Sequence, residues 1–283
     1  MKKIKKTGIR LLYFVLIVLL AFAWTEIEKR FFKKDDDSKK RNKTENTWVI
    51  DEGCNLDNSE DVLKPEESLD YKSFSYKDIP NYSGESFAVI NSNKPFFTKE
   101  EIEEAKNGKA YEYYEPLDKL GRAKFGMACI DKSIMPKVGE KRGDISKVKP
   151  TGWEQHKYSF IKDGEWLYNR AHLLGYQLTG ENDNERNLIT GTRYFNASGM
   201  LPFENLLADY LKEESDKRKV LYRVTAIYKD DDLLARGVLM EALSLNDDDY
   251  DNVEYCVFVY NVQDGVNIDY KTGENNAEII EEK

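Results

Sequence analysis

The stretch from Tyr168 to Glu204 constrains the fold more than any other, because its imidazole, carboxamides and carboxylate suit one site only if the fold brings them together. The residues are Asn169, Arg170 and His172 in Tyr-Asn-Arg-Ala-His, Asn187 in Asn-Leu-Ile-Thr-Gly-Thr, then Asn196, and Glu204 in Leu-Pro-Phe-Glu. Glu165-Trp166-Leu167-Tyr168 reads as a strand end, so His172 is delivered on rigid backbone. Phe203, Leu206, Leu207, Tyr210 and Leu211 fall on one face at helical spacing, and Pro202 suits the first turn of that helix. Asn196 is then expected in a preceding turn, with a kink between it and Glu204.

The residue types suggest a chemistry. Carboxamides at 187 and 196 and a carboxylate at 204 are oxygen donors of the kind a hard cation such as magnesium accepts. An imidazole with an ordinary pKa near ~6.5 is substantially neutral at physiological pH and can take a proton from water. Together they are the minimum equipment for metal-assisted phosphodiester hydrolysis. His156, the other histidine, sits in Glu-Gln-His-Lys-Tyr without such company and reads as structural or surface. Ser198 lacks the surroundings of a hydrolase nucleophile.

These residues resemble the DNA/RNA non-specific endonuclease family and, within it, the streptococcal surface and secreted DNases. Asn169-Arg170-Ala171-His172 stands for the family's Asp-Arg-Gly-His motif, Asn187 precedes Asn196 by nine positions, and Glu204 follows Asn196 by eight. The similarity runs from about Ser86 to Glu274, through Gly152-Trp153, Asn261-Val262-Gln263 and Ile268-Asp269-Tyr270. Asn169 in place of Asp, and Pro202 within a usually smooth helix, depart from the pattern. The resemblance implies an α+β fold: a central antiparallel sheet with flanking helices and a ββα-metal active site. It implies a sequence-non-specific endonuclease acting on DNA and RNA, with His172 as general base and one Mg2+, or Mn2+ in its place, held by Asn196. Arg170, Asn187 and Glu204 complete the catalytic set, Glu204 beside the ion and Asn187 orienting the site.

Charge narrows the partners. The chain of 283 residues carries −9, and without Lys2, Lys3, Lys5, Lys6 and Arg10 the remainder carries −14. So acidic a body repels a polyanion unless positive charge is gathered locally. From 117 to 170, 12 Lys and Arg face 7 Asp and Glu. Lys141, Arg142, Lys147 and Lys149 in that segment are therefore expected to bind substrate phosphates. Cys54, Cys129 and Cys256 lack the paired spacing of a zinc site, and the latter two read as core residues. No internal repeat and no glycine-rich nucleotide loop occurs.

Residues 1–24 join a basic start to an apolar run from Leu11 to Trp24 and read as a signal anchor, with a signal peptide cut near Ala21-Phe22-Ala23 as the alternative. Either implies export, to the outer face of the membrane or beyond. Residues 25–85, rich in mixed charge runs, read as a flexible tether; 86–274 as the endonuclease domain; 275–283 as an acidic tail. Within the domain, Phe87 to Ile90 opens as a strand, and Thr98-Lys99-Glu100-Glu101 matches a capping box. Arg122 to Asp131 reads as a strand, Ser133 to Gly152 as a long basic loop, and Leu221–Tyr228, Gly237–Leu245 and Tyr255–Val262 as a sheet behind the site. A tethered nucleic-acid-binding protein with a decayed site and a surface interaction protein are the alternatives, which magnesium-dependent plasmid cleavage separates from an enzyme. Nothing in the sequence identifies an inhibitor protein.

Overall fold

The computed structural model describes residues 71–212, 218–246 and 252–277, all within one unit, Pro65–Lys283. Residues 1–24, the charged run after them and Cys54 lie outside the described residues. Among those described, no helix is long and apolar enough to cross a membrane.

Three long strands, β6 (Val220–Ile227), β7 (Gly237–Ser244) and β8 (Glu254–Tyr260), form the centre of a six-stranded antiparallel sheet. β1 (Phe87–Val89) extends it beyond β8, and β3 (Phe125–Ile130) and β2 (Tyr111–Tyr114) extend it beyond β6. The strands read as nearly continuous apolar runs because both faces are covered. Val220, Tyr222 and Val224 of β6, Val238, Met240 and Ala242 of β7, and Tyr255, Val257 and Val259 of β8 share one core. The alternate residues Ile227, Leu239, Cys256 and Phe258 serve a second core on the other face. Cys129 and Cys256 are buried and unpaired, as expected of core residues.

The second face is closed by the chain's early segments. In α1 (Lys99–Asn107), Thr98 Oγ1 accepts from Glu101 N (3.1 Å) and Glu101 Oε2 accepts from Thr98 N (2.8 Å), the capping box legible in the sequence. The other Glu101 oxygen accepts from Arg223 Nη1 at 3.1 Å. Arg223, fully buried, also grips Glu241 with two bonds of 2.8 and 3.0 Å and lies between the rings of Tyr71 and Phe97. Tyr71, Phe74, Tyr76 and Ile79, from the segment read as tether, pack into this second core, so the folded body reaches back at least to Tyr71.

The first face carries the site. A separate hairpin of β4 (Tyr168–His172) and β5 (Leu188–Thr192) is followed by a helix that begins with a π-helical turn, Phe195–Met200, and continues as α3 (Leu201–Lys212). The expected kink between Asn196 and Glu204 is absent from the backbone dihedrals: Leu201 is helical (φ −53°, ψ −39°), and its N–H reaches Asn196 O. Pro202 lacks an amide hydrogen, and the wide turn before it lets the helix run on. Of the residues expected on the buried face, Leu207, Tyr210 and Leu211 fill the core and Phe203 packs against it, but Leu206 is 49% exposed, because it lies about 100° round the helix from Leu207, beyond the edge of the arc the sheet covers; Ala208 is buried on the other side of that arc. At the far end, β10 (Asn275–Ala277) pairs with β9 (Val266–Ile268), so the chain stays ordered past Glu274.

Candidate active site

His172 is the last residue of β4, and its register partner is Leu188, the first of β5. The chain between them folds back through α2 (Tyr176–Thr179) and a loop, and Asn187 pins its return. The Asn187 amide, wholly buried, accepts from Leu174 N (2.8 Å) and donates to Leu174 O (3.0 Å), while its own carbonyl accepts from Leu173 N (2.8 Å). Wholly buried and outside the cavity lining, this carboxamide fixes the backbone just after His172.

The imidazole is 6% exposed and held at both nitrogens. Nε2 lies 2.8 Å from the carbonyl oxygen of Asn182, which can only accept, so Nε2 carries the hydrogen. Nδ1 lies 3.0 Å from Nη2 of Arg142, which can only donate, so Nδ1 presents its lone pair. Burial, and to a lesser degree the Arg142 charge, lower its pKa to about 4, against the upward pull of the Asn182 carbonyl. The ring is a neutral base with one defined basic atom. Gly143 makes this approach feasible: a Cβ there would stand 2.6 Å from Asn182 Nδ2.

His172 opens on a cavity of about 790 Å³, also lined by Asn169, Arg170, Asn196, Glu204 and Arg142. Asn196 and Glu204 reach it from the helix across from the hairpin. The Glu204 carboxyl rests directly on Gly175, where a Cβ would meet Cδ, Oε2 and Oε1 at 2.8, 2.8 and 2.9 Å. Burial raises its pKa to about 7, against the opposing influence of a Gln177 hydrogen bond and the Arg142 charge. The Asn196 carboxamide makes no hydrogen bond among the described residues. A half-buried carboxylate short of positive charge, beside an unengaged carboxamide oxygen, fits a hard cation that keeps most of its hydration. Among the described residues no group of three or more His, Cys, Asp and Glu could hold a metal.

The other expected residues divide between the cavity wall and its surroundings. Arg170 donates to the carbonyls of Val148 and Ser146 (2.5 and 2.8 Å) and stacks on Trp153, its guanidinium carbon 4.2 Å from the ring centroid, so it ties the basic loop to β4. The Asn169 Nδ2 is buried without a partner. Of the four loop cations, Arg142 lines the cavity, whereas Lys141, Lys147 and Lys149 stand exposed outside it. His156 is exposed and bonds Asn275 (2.9 Å), away from the cavity. Sequence reasoning missed Gly175, Arg193 and Trp166, which also line the cavity; no local pattern marks them, though Arg193 directly follows β5.

The profile of the DNA/RNA non-specific endonuclease family matches residues 100–246, more than half of the chain. The chain belongs to this family. Among solved structures, this endonuclease is similar to NucA from Streptococcus agalactiae with a magnesium ion bound, at 25% identity and a TM-score of 0.58, covering 68% of this chain and 87% of that one. It is similar to NucA with no metal bound at the same identity and TM-score, covering 72% and 92%. It is also similar to Sda1 nuclease with a bound zinc ion, at 25% identity and a TM-score of 0.57, covering 68% and 96%. The central antiparallel sheet with few helices is the architecture shared with these nucleases.

Proposed function

We propose that this endonuclease hydrolyses phosphodiester bonds in DNA and RNA without sequence preference, with His172 as general base and one Mg2+, replaceable by Mn2+, bound at Asn196 beside Glu204. The observation that carries this is the fixed tautomer of His172: Nε2–H is committed to the Asn182 carbonyl, and the lone pair of Nδ1 is held by Arg142, which lines the same cavity as His172, Asn196 and Glu204. Nδ1 takes a proton from water as the water oxygen attacks phosphorus and the bond to the 3′ oxygen breaks, leaving 5′-phosphate and 3′-hydroxyl ends. The ion, when bound, supplies positive charge for the phosphoryl and leaving oxygens. Arg142 engages Nδ1 while no substrate is present; a substrate phosphate, as the stronger acceptor, draws the guanidinium away and frees the base. Asn187 holds the backbone behind His172, and Arg170 holds the basic loop in place. Contacts to phosphate rather than to base edges account for the lack of sequence preference. The test is plasmid and RNA digestion with magnesium varied: cleavage abolished by chelator and by His172→Ala supports the assignment, and salt-sensitive binding without any cleavage overturns it.

We infer further that residues 1–24 anchor the chain in a membrane and that the charged run after them tethers the domain on the outer face, with secretion after signal cleavage as the other outcome. The basic start and the apolar run Leu11–Trp24 support this. The full chain should fractionate with membranes and be released by protease; a soluble product beginning at Trp24 would show secretion instead.

A further inference from the structure

We propose that Trp166 is a stacking platform for an unpaired base beside the scissile phosphate, so that the site prefers single-stranded nucleic acid; this rests on the nuclease reading above. Trp166 lines the cavity that holds His172, yet its side chain is 48% exposed. Its backbone is fixed while the ring is left out. Leu167 N donates to His156 O (3.0 Å), Tyr158 N donates to Glu165 O (2.9 Å), Trp166 bridges Lys157, and the next residue, Leu167, is wholly buried. Immediately before it, Asp163, Gly164 and Glu165 all take positive φ (60°, 108° and 68°), a conformation costly for the two non-glycine residues. Arg193, itself in the cavity wall, holds Asp163 at 3.0 Å. A strained turn braced in this way presents an indole at a defined place.

The neighbours decide what the indole can take. Trp153 lines the same cavity, but it is packed against the core of Leu167 and Tyr168 with the Arg170 guanidinium on its ring, whereas Trp166 carries one cation and still leaves half of its surface open. Lys157 sits over Trp166, 4.7 Å from the centroid and 3.6 Å from the Glu165 carboxylate, and the same wall carries Arg142 and, in its pair with Asp163, Arg193. Aromatic surface interleaved with cations is the pattern that binds single strands: cations track phosphates, and a base stacks on the ring at about 1–3 kcal/mol. A base inside a duplex already has both faces stacked and must first be extruded, giving up its stacking and pairing. A platform of this kind therefore discriminates between strand states without reading sequence.

The test uses the full chain in chelator, where cleavage plays no part, with a labelled 12-mer as single strand and as duplex. Fluorescence anisotropy should show Trp166→Ala binding the single strand about 5- to 100-fold more weakly, duplex binding changing much less, and Trp166→Phe retaining most of the preference. Equal shifts for both forms, or no shift for either, overturn the proposal. Cleavage rates measured in parallel keep the two readings apart: loss of the single-strand preference with no magnesium-dependent cleavage in the wild type sinks the nuclease assignment and leaves the platform standing.

Discussion

Gly175→Ala isolates the position of one carboxylate from the stability of the fold. The Gly175 backbone (φ −57°, ψ 138°) is open to alanine, so the substitution carries no conformational penalty and is expected to stabilise by about 0.4–1 kcal/mol through the unfolded chain. The new methyl, however, would stand 2.8–2.9 Å from all three carboxyl atoms of Glu204. Ordinary contact lies near ~3.5 Å, so the carboxyl, the free end of a side chain, must retreat by roughly 0.5–1 Å. A displacement of that size at a reacting centre costs up to about 100-fold in rate, or about 2.7 kcal/mol of barrier. The expected outcome is a melting temperature within a few degrees of wild type and plasmid nicking slowed about 10- to 100-fold at saturating magnesium. Glu204→Ala and the double variant should then nick at the same rate, since the methyl acts only through a carboxylate that is gone. Wild-type nicking by a folded Gly175→Ala would refute the reasoning, as would a double variant slower than Glu204→Ala.

Four further outcomes follow from the same geometry. His172→Ala should lose about 10²- to 10⁴-fold in rate at every magnesium concentration, whereas Asn196→Ala should recover part of its activity as magnesium is raised; identical titration curves would merge the two roles. The lowered His172 pKa means that between about 6.5 and 4 the unfolded chain binds a proton the folded chain refuses, so stability falls as pH drops through that window by at most on the order of 3 kcal/mol. His172→Asn should therefore lose less melting temperature than wild type between pH 7 and pH 4.5. Arg142→Gln should raise KM and reduce the salt slope of binding by about one, and neutralising Lys141, Lys147 and Lys149 together should flatten the slope further with little change in kcat; an unaltered slope in a binding titration removes the loop from the contact surface. Arg223→Met should destabilise by about 3–5 kcal/mol in denaturant melts, because Glu241 is left charged and unpaired in the core.

Features that depend on neighbours along the chain are legible in the sequence itself. The Thr98–Glu101 capping box closes over three residues, and the strands Val220–Ile227, Gly237–Ser244 and Glu254–Tyr260 announce themselves through apolar runs between acidic turns. His172, Asn187, Asn196 and Glu204 can be named because their residue types and spacings carry the family pattern, and His172 and Glu204 share a cavity with Asn196.

Tertiary structure decided what each of them does there. That Asn187 turns both amide atoms onto Leu174, that Arg170 serves the loop through Ser146 and Val148, and that Arg142 meets His172 across thirty residues are matters of long-range packing. No local propensity encodes such contacts. The exposed Leu206 and the unbroken helix through Leu201 were settled by which arc of the helix the sheet can cover and by the wide turn before Pro202. Gly175, Arg193 and Trp166 carry no motif at all; they matter because the fold sets a missing Cβ, a cation and a half-bare indole against one cavity. Sequence thus determined the elements and the reactive groups, while the geometry that gives His172 one basic atom came from the packing of a loop and a hairpin that the chain joins only in three dimensions.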